Sequence, residues 1–233
     1  MKIFDANLKI ILDSRGQDTL EAELKSGDFS ATASVPSGKS RGKHEAFVLE
    51  PKLALGKFEE IKSQILAASV SGRIESQEDF DNFLIALDGT ENKQNLGGNL
   101  ILALSLAFAR LKAKSEGKEL FKYIRSISQL PITNYQLPKP IFNVINGGAH
   151  SGFSHSFASL DFQEFQIIPE VKDFGMALGL GQEFYRKLKE FLEKKFGKES
   201  IFLGDEAGFS APFKNNEEAI EILAELIEKY KYP

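Results

Sequence analysis

Hydrophobic and polar residues alternate with a period of two over the first 35 positions of the chain. Leu20, Ala22 and Leu24 fall on one side of a run, and Phe29, Ala31, Ala33 and Val35 on one side of the next. This is the pattern of half-buried strands. Asp13-Ser14-Arg15-Gly16 and Ser26-Gly27-Asp28 separate the runs, so the pattern predicts an antiparallel three-stranded meander. From Gly56 the apolar steps lengthen to three and four. Phe58, Ile61, Ile65 and Ala68 make one stripe, Phe80, Phe83, Leu84 and Leu87 another, and 99–115 is apolar almost all round. These segments predict helices on the sheet, the last the most buried.

Residues 128–140 carry prolines at 131, 138 and 140 and no helical period, which marks a linker between a domain at 1–127 and a second at 141–233. In the second, apolar runs at 141–145 and 162–168 predict strands. A stripe from Phe174 through Ala177, Leu178, Gly181, Phe184, Leu188, Phe191 and Leu192 predicts a long helix, opened by Asp173 and stopped by Gly197. A strand at 201–203 ends in Gly204-Asp205-Glu206. A capped helix at 215–230 then buries Ile220, Leu223, Leu226 and Ile227. This order opens an α/β barrel or a layered α/β sheet.

With 233 residues, 42% of them hydrophobic, the chain can bury one large core or two ordinary ones. Lys plus Arg number 29 against 33 Asp plus Glu, a net charge of −4, which argues against a nucleic-acid binder driven by backbone electrostatics. The chain has no cysteine, so disulfides, thiolate nucleophiles and Cys-ligated zinc are excluded, and any metal is held by oxygen or histidine. The longest apolar run, 100–109, is about half of what a membrane span needs. Met1 to Asn7 includes an acid and an amide where a secretory signal has its apolar core. The expectation is a soluble cytoplasmic protein with no membrane span.

Three places hold candidate chemistry. Val35 to Lys43 follows a strand and is small, polar and basic. Gly38-Lys39-Ser40 imitates the end of a phosphate loop, but Ala33 stands where the motif has its first glycine and no helix signal follows Ser40. A loop that brings a hydroxyl and cations over an anion remains open beside a plain surface turn. Asn143-Val144-Ile145-Asn146-Gly147-Gly148-Ala149-His150 ends a strand in two glycines, which allow close backbone approach to a ligand, and a histidine that can donate to an anion. The alternative is a turn with a solvated histidine. His150 and His155, five apart in a loop, do not form a helical metal face. Glu164 interrupts an apolar strand, where burial would raise its pKa, and Asp205-Glu206 close a strand at the end where barrel active sites lie. A solvated edge glutamate is the plainer reading of the first.

These segments, in this order along nearly the whole chain, resemble enolase, the phosphopyruvate hydratase family. The matching stretches are Asp13-Ser14-Arg15-Gly16 with Thr19-Leu20-Glu21, and Val35-Pro36-Ser37-Gly38-Lys39-Ser40. Leu87-Asp88-Gly89-Thr90-Glu91-Asn92-Lys93 with Leu96-Gly97 and Ser105-Leu106-Ala107 follows. The second domain adds Phe142 to Gly148, Gln163-Glu164-Phe165 and Gly204-Asp205-Glu206. The resemblance implies an α+β N-terminal domain with a three-stranded meander and helices, followed by an incomplete TIM-like β/α barrel. It implies reversible, magnesium-dependent dehydration of 2-phosphoglycerate to phosphoenolpyruvate. Glu164 and Glu206 would assist departure of the 3-hydroxyl, His150 would lie at the substrate, and Ser40 would close over it and help hold the second Mg2+. It further implies a homodimer through the N-terminal domain, near Arg15 and Glu21.

The chain departs from the family pattern at several positions. Arg41 stands in place of threonine, Ala207 in place of glycine, and Ser210 is inserted before Ala211-Pro212. His150 lies fourteen residues before Glu164, a longer interval than usual; His155 fits the usual interval but lacks the glycines, and His150 is favoured. About 97 residues from Leu137 onward face the roughly 250 of a typical barrel. The family's three carboxylate ligands for the first magnesium and its two active-site lysines belong to later strands. The chain alone is therefore expected to be catalytically incomplete, with an exposed strand edge that needs a partner. Either it is half of such an enzyme, or it is a non-catalytic, enolase-derived binding or dimerisation protein.

Overall fold

The computed structural model describes residues 1–36, 38, 42–128, 136–148, 160–204 and 206–233. The chain divides into two compact units, Met1–Thr133 and Asn134–Pro233.

The first unit opens with the meander: β1 (Asp5–Leu12), β2 (Asp18–Ser26) and β3 (Phe29–Ser34), all antiparallel. The β1–β2 turn is organised by Asp13, whose Oδ1 accepts the N–H groups of Arg15 at 2.8 Å and Gln17 at 2.9 Å. Ser26 pairs with Phe29, so Gly27-Asp28 alone make the second turn, with Gly27 at φ +56° as a two-residue hairpin requires. Leu20, Ala22, Leu24, Ala31, Ala33 and Val35 are buried on one face. Phe29, read as part of that face, is exposed because it borders the turn.

Four helices follow: α1 (Pro51–Val70), α2 (Gln77–Asp88), α3 (Gly98–Ser115) and α4 (Leu120–Ile127). Helix α1 begins before Gly56, with Pro51 at its first turn and the Glu50 side chain accepting from the Leu53 N–H. Ser76 and Asp79 form a capping box on α2, and Gly89 ends it in the left-handed region. Helix α3 lies on β2 and β3. Phe80 and Phe108 stack at 4.4 Å between α2 and α3, each fully buried and worth roughly 2–3 kcal/mol. Helix α4 carries apolar residues at helical steps, Leu120, Ile124 and Ile127, but Ile124 and Ile127 are exposed and only Tyr123 is buried on it, against Ala109 and Ala113.

The second unit holds β4 (Phe142–Asn146), β5 (Glu164–Ile167), α5 (Phe174–Phe196), β6 (Phe202–Leu203), β7 (Phe209–Ser210) and α6 (Asn216–Tyr230). The strand order is β5-β4-β7-β6. β7 runs parallel to β4, whereas β5 and β6 are antiparallel to their neighbours. Val144, Ile145, Phe165, Phe209, Phe184 and Leu188 join the sheet to α5, and Ala219, Ile222, Leu223 and Leu226 bring in α6. Among the described residues the sheet does not close into a barrel.

Three sequence expectations change here. Strand β6 falls in the expected run 201–203, but Phe202 and Leu203 are exposed, and beside it lies an unexpected buried strand, β7, which cannot show alternation because it is only two residues long. On α6 the buried face is one step from the expected one, leaving Ile220 and Ile227 exposed. On α5, Phe174 and Leu178 are exposed, so the inner stripe is Ala177, Gly181, Phe184, Leu188 and Leu192. Of the expected linker, 129–135 lie outside the described residues.

Candidate active site

The end of β4 is shaped by its glycines. The Gly147 N–H donates to the Gln163 carbonyl at 2.9 Å and the Gly148 N–H to the Leu160 carbonyl at 3.0 Å. A Cβ on Gly147 would sit 2.4 Å from the Phe162 carbonyl oxygen, and Gly148 has φ +50°. The double glycine thus admits the chain's own segment 160–163.

Glu164 is the first residue of β5, paired with Asn146, and it is half-buried rather than sunk in an apolar strand. Phe165 takes the core-facing position beside it, while Glu164 Oε2 accepts from Gln166 Nε2 at 2.6 Å on the other face. Glu206 is exposed and lies in the turn between β6 and β7. Glu206 thus follows the strand at 202–203, as the sequence pattern placed it, and the same turn leads into β7, the strand running beside β4. Its Oε2 accepts from Asn143 Nδ2 at 3.2 Å. Glu164 and Glu206 therefore meet β4 at Asn146 and Asn143, three residues apart, about 10 Å along a strand. His150, His155, Ser40, Arg41 and Asp205 lie outside the described residues.

Sequence reasoning quoted the two asparagines of β4 without giving them a role. Asn146 is 1% exposed, with Nδ2 donating to the Gln163 carbonyl at 3.4 Å and no partner for Oδ1 among the described residues. Asn143 Oδ1 likewise has none among them. Two amides inside the apolar run Phe142-Asn143-Val144-Ile145-Asn146 are the signal that marks them, because a buried polar group needs a compensating reason. Phe142, Asn143, Gln182, Tyr185, Arg186 and Glu206 line a groove of about 600 Å³ in this unit.

In the first unit, the described flanks of the Val35–Lys43 segment are tied locally. The Gly42 N–H donates to Glu45 Oε1 at 2.8 Å. Asn99 exchanges two hydrogen bonds with the Leu49 backbone, at 2.8 and 3.0 Å, and pins the following stretch to the start of α3. The Leu87–Lys93 motif is structural: Asp88 is buried and gathers the backbone of the segment after α2. Among the described residues, no group of three or more His, Cys, Asp or Glu converges where a metal ion could be held. No described helix is long and apolar enough to cross a membrane.

A three-stranded meander covered by helices, followed by a separate mixed four-stranded sheet with Glu164 opening one strand and Glu206 in the turn after another, defines a two-unit α/β protein. The chain belongs to the enolase family: residues 3–124 match the enolase N-terminal domain and residues 134–233 the enolase C-terminal TIM barrel domain. It is 38% identical to the enolase of Methanococcus vannielii, over 99% of this chain and 54% of that protein. It is 41% identical to the enolase of Thermococcus gammatolerans, over 95% of this chain and 51% of that one. Enolase B of Dictyostelium discoideum is 37% identical over 100% of this chain and 53% of its own length. The chain spans about half the length of these relatives.

Proposed function

We propose that the chain supplies the N-terminal half of a cytoplasmic phosphopyruvate hydratase, which converts 2-phosphoglycerate reversibly to phosphoenolpyruvate in glycolysis. The family match across both domains carries this reading. A hydroxyl leaves readily only as water, so a proton donor at the 3-hydroxyl is required, and positioned acids contribute roughly 10²–10⁴-fold. Glu206 and Glu164 are assigned that task. His150 binds substrate, and Ser40 closes over it and helps hold the second Mg2+. The base that removes the C2 proton and the ligands of the first Mg2+ come from strands beyond this chain. The first unit mediates homodimerisation.

Mixing the chain with a polypeptide that carries the remaining barrel strands, in the presence of Mg2+, tests the proposal through the ultraviolet absorbance of the enol product. Turnover is expected only in the mixture, and Glu206→Gln is expected to lower it by about 100-fold or more. A folded mixture without turnover would overturn the reading in favour of a non-catalytic association protein.

A further inference from the structure

The turn that carries Glu206 is closed by two backbone hydrogen bonds, Gly204 N–H to the Gly208 carbonyl at 2.8 Å and Ala207 N–H to the Gly204 carbonyl at 2.9 Å. Ala207, directly after the glutamate, has φ +61°, in the left-handed region that alanine avoids. Relaxation of Ala207 to negative φ would rotate the peptide that joins it to Glu206 and carry the carboxylate away from Asn143.

Tyr185 opposes that relaxation through two contacts on the β7 side of the turn. Its hydroxyl donates to the Ala207 carbonyl at 2.5 Å, and its ring stacks on Phe209, just beyond the turn, at 4.4 Å and 28°. Phe209 is itself buried, so the ring rests on a fixed surface. One turn earlier on α5, Gly181 lies so close to the Phe142 ring that a Cβ would sit 2.4 Å from it. The same helix therefore fixes the strand residue next to Asn143 and the turn whose glutamate Asn143 contacts. Burial raises the phenol above its ordinary value of 10, which keeps it a donor through the neutral range.

We propose that Tyr185 is the positioning residue for Glu206: its hydroxyl on the Ala207 carbonyl holds a strained turn so that the carboxylate stays against Asn143. This rests on the reading of Glu206 as a working carboxylate. Tyr185 touches no reacting atom and acts only through the turn.

The experiment follows the side-chain amide resonances of Asn143 by nuclear magnetic resonance, with hydrogen exchange of the turn amides, in the full chain. Glu206→Gln is expected to shift the Asn143 resonances and so to define the signature of the contact. Tyr185→Phe, which keeps the ring stack, is expected to shift them as well and to speed exchange at Gly204 and Ala207 by about tenfold. Adding Ala207→Gly removes the strain and is expected to bring the resonances back toward the wild-type position, a rescue that general destabilisation would not give. Asn143 resonances unmoved by Tyr185→Phe, unmoved by Glu206→Gln, or not restored by Ala207→Gly would overturn the proposal. These outcomes are independent of turnover: the expected spectra without turnover in the reconstituted mixture would sink the hydratase reading alone.

Discussion

Asp88 accepts the backbone N–H of Leu96 at 2.7 Å while its side chain is almost wholly withdrawn from solvent. The same carboxylate accepts the N–H groups of Thr90 at 2.9 Å and Asn95 at 3.1 Å, and the Thr90 hydroxyl. One acid thus anchors the segment that links α2 to α3. Burial opposes its charge, but the Thr90 hydroxyl and the three backbone donors outweigh that and hold its carboxyl below the ordinary 3.8.

Asp88→Ala leaves those donors unpaired and is expected to cost roughly 3 kcal/mol in urea denaturation. Asp88→Asn costs less. Because the folded pKa is depressed, the charge stabilises fully above the ordinary value and is lost as pH falls through the folded one. The stability gap between wild type and Asp88→Asn is therefore expected to shrink as pH drops below about 4. A gap that widens on acidification would contradict this.

The Glu206 turn makes two opposite predictions from neighbouring residues. Ala207→Gly relieves a left-handed alanine at φ +61° and is expected to raise stability by about 0.5–1 kcal/mol, part of the relief being offset by chain entropy. Gly208→Ala would place a Cβ 2.3 Å from Asn146 Oδ1 and 3.0 Å from Asn146 N, and is expected to destabilise by roughly 2 kcal/mol or more. Denaturation midpoints that move together would show that the turn has another backbone geometry.

Helix α5 allows the same comparison. A methyl group at Gly179 would meet nothing within 4 Å, so Gly179→Ala is expected to gain up to about 1 kcal/mol of helix propensity. Gly181→Ala would drive a methyl into the Phe142 ring and is expected to lose roughly 2 kcal/mol. Thermal melts of the two variants should bracket the wild type.

Two phenols set an alkaline limit. Burial first, then the Glu183 hydrogen bond and charge, push Tyr232 up to about 12, and burial with the charges of Glu116 and Asp81 pushes Tyr123 up to about 12. Their native pKa values exceed the unfolded value of 10, so stability is full below pH 10 and falls as pH rises toward 12. Spectrophotometric titration of the native protein should show delayed phenolate formation, and Tyr232→Phe should flatten the alkaline loss of stability. Ionisation of all tyrosines near pH 10 without unfolding would refute this.

Much of the first unit was legible because its signals are local. Alternation in 20–24 and 31–35 and the stripe Phe58, Ile61, Ile65, Ala68 follow from strand and helix geometry, and those residues are buried as the periods require. On α4 the helical steps of Leu120, Ile124 and Ile127 do not mark a core face, since Ile124 and Ile127 are exposed and only Tyr123 is buried. In the second unit the strand at Phe202-Leu203 is legible from its apolar run although it lies exposed, whereas β7 is not, since a two-residue strand cannot alternate.

The sequence by itself determined the family, most of its elements and the identity of the candidate carboxylates, because periodicity and motif order are properties of neighbours along the chain. Only the tertiary structure decided that Gly147-Gly148 make room for segment 160–163, that Glu206 meets Asn143, and that Tyr185 braces the turn between them. Each of those contacts joins residues far apart in sequence. They depend on which strand lies beside β4 and which helix covers it, and no local pattern encodes that choice.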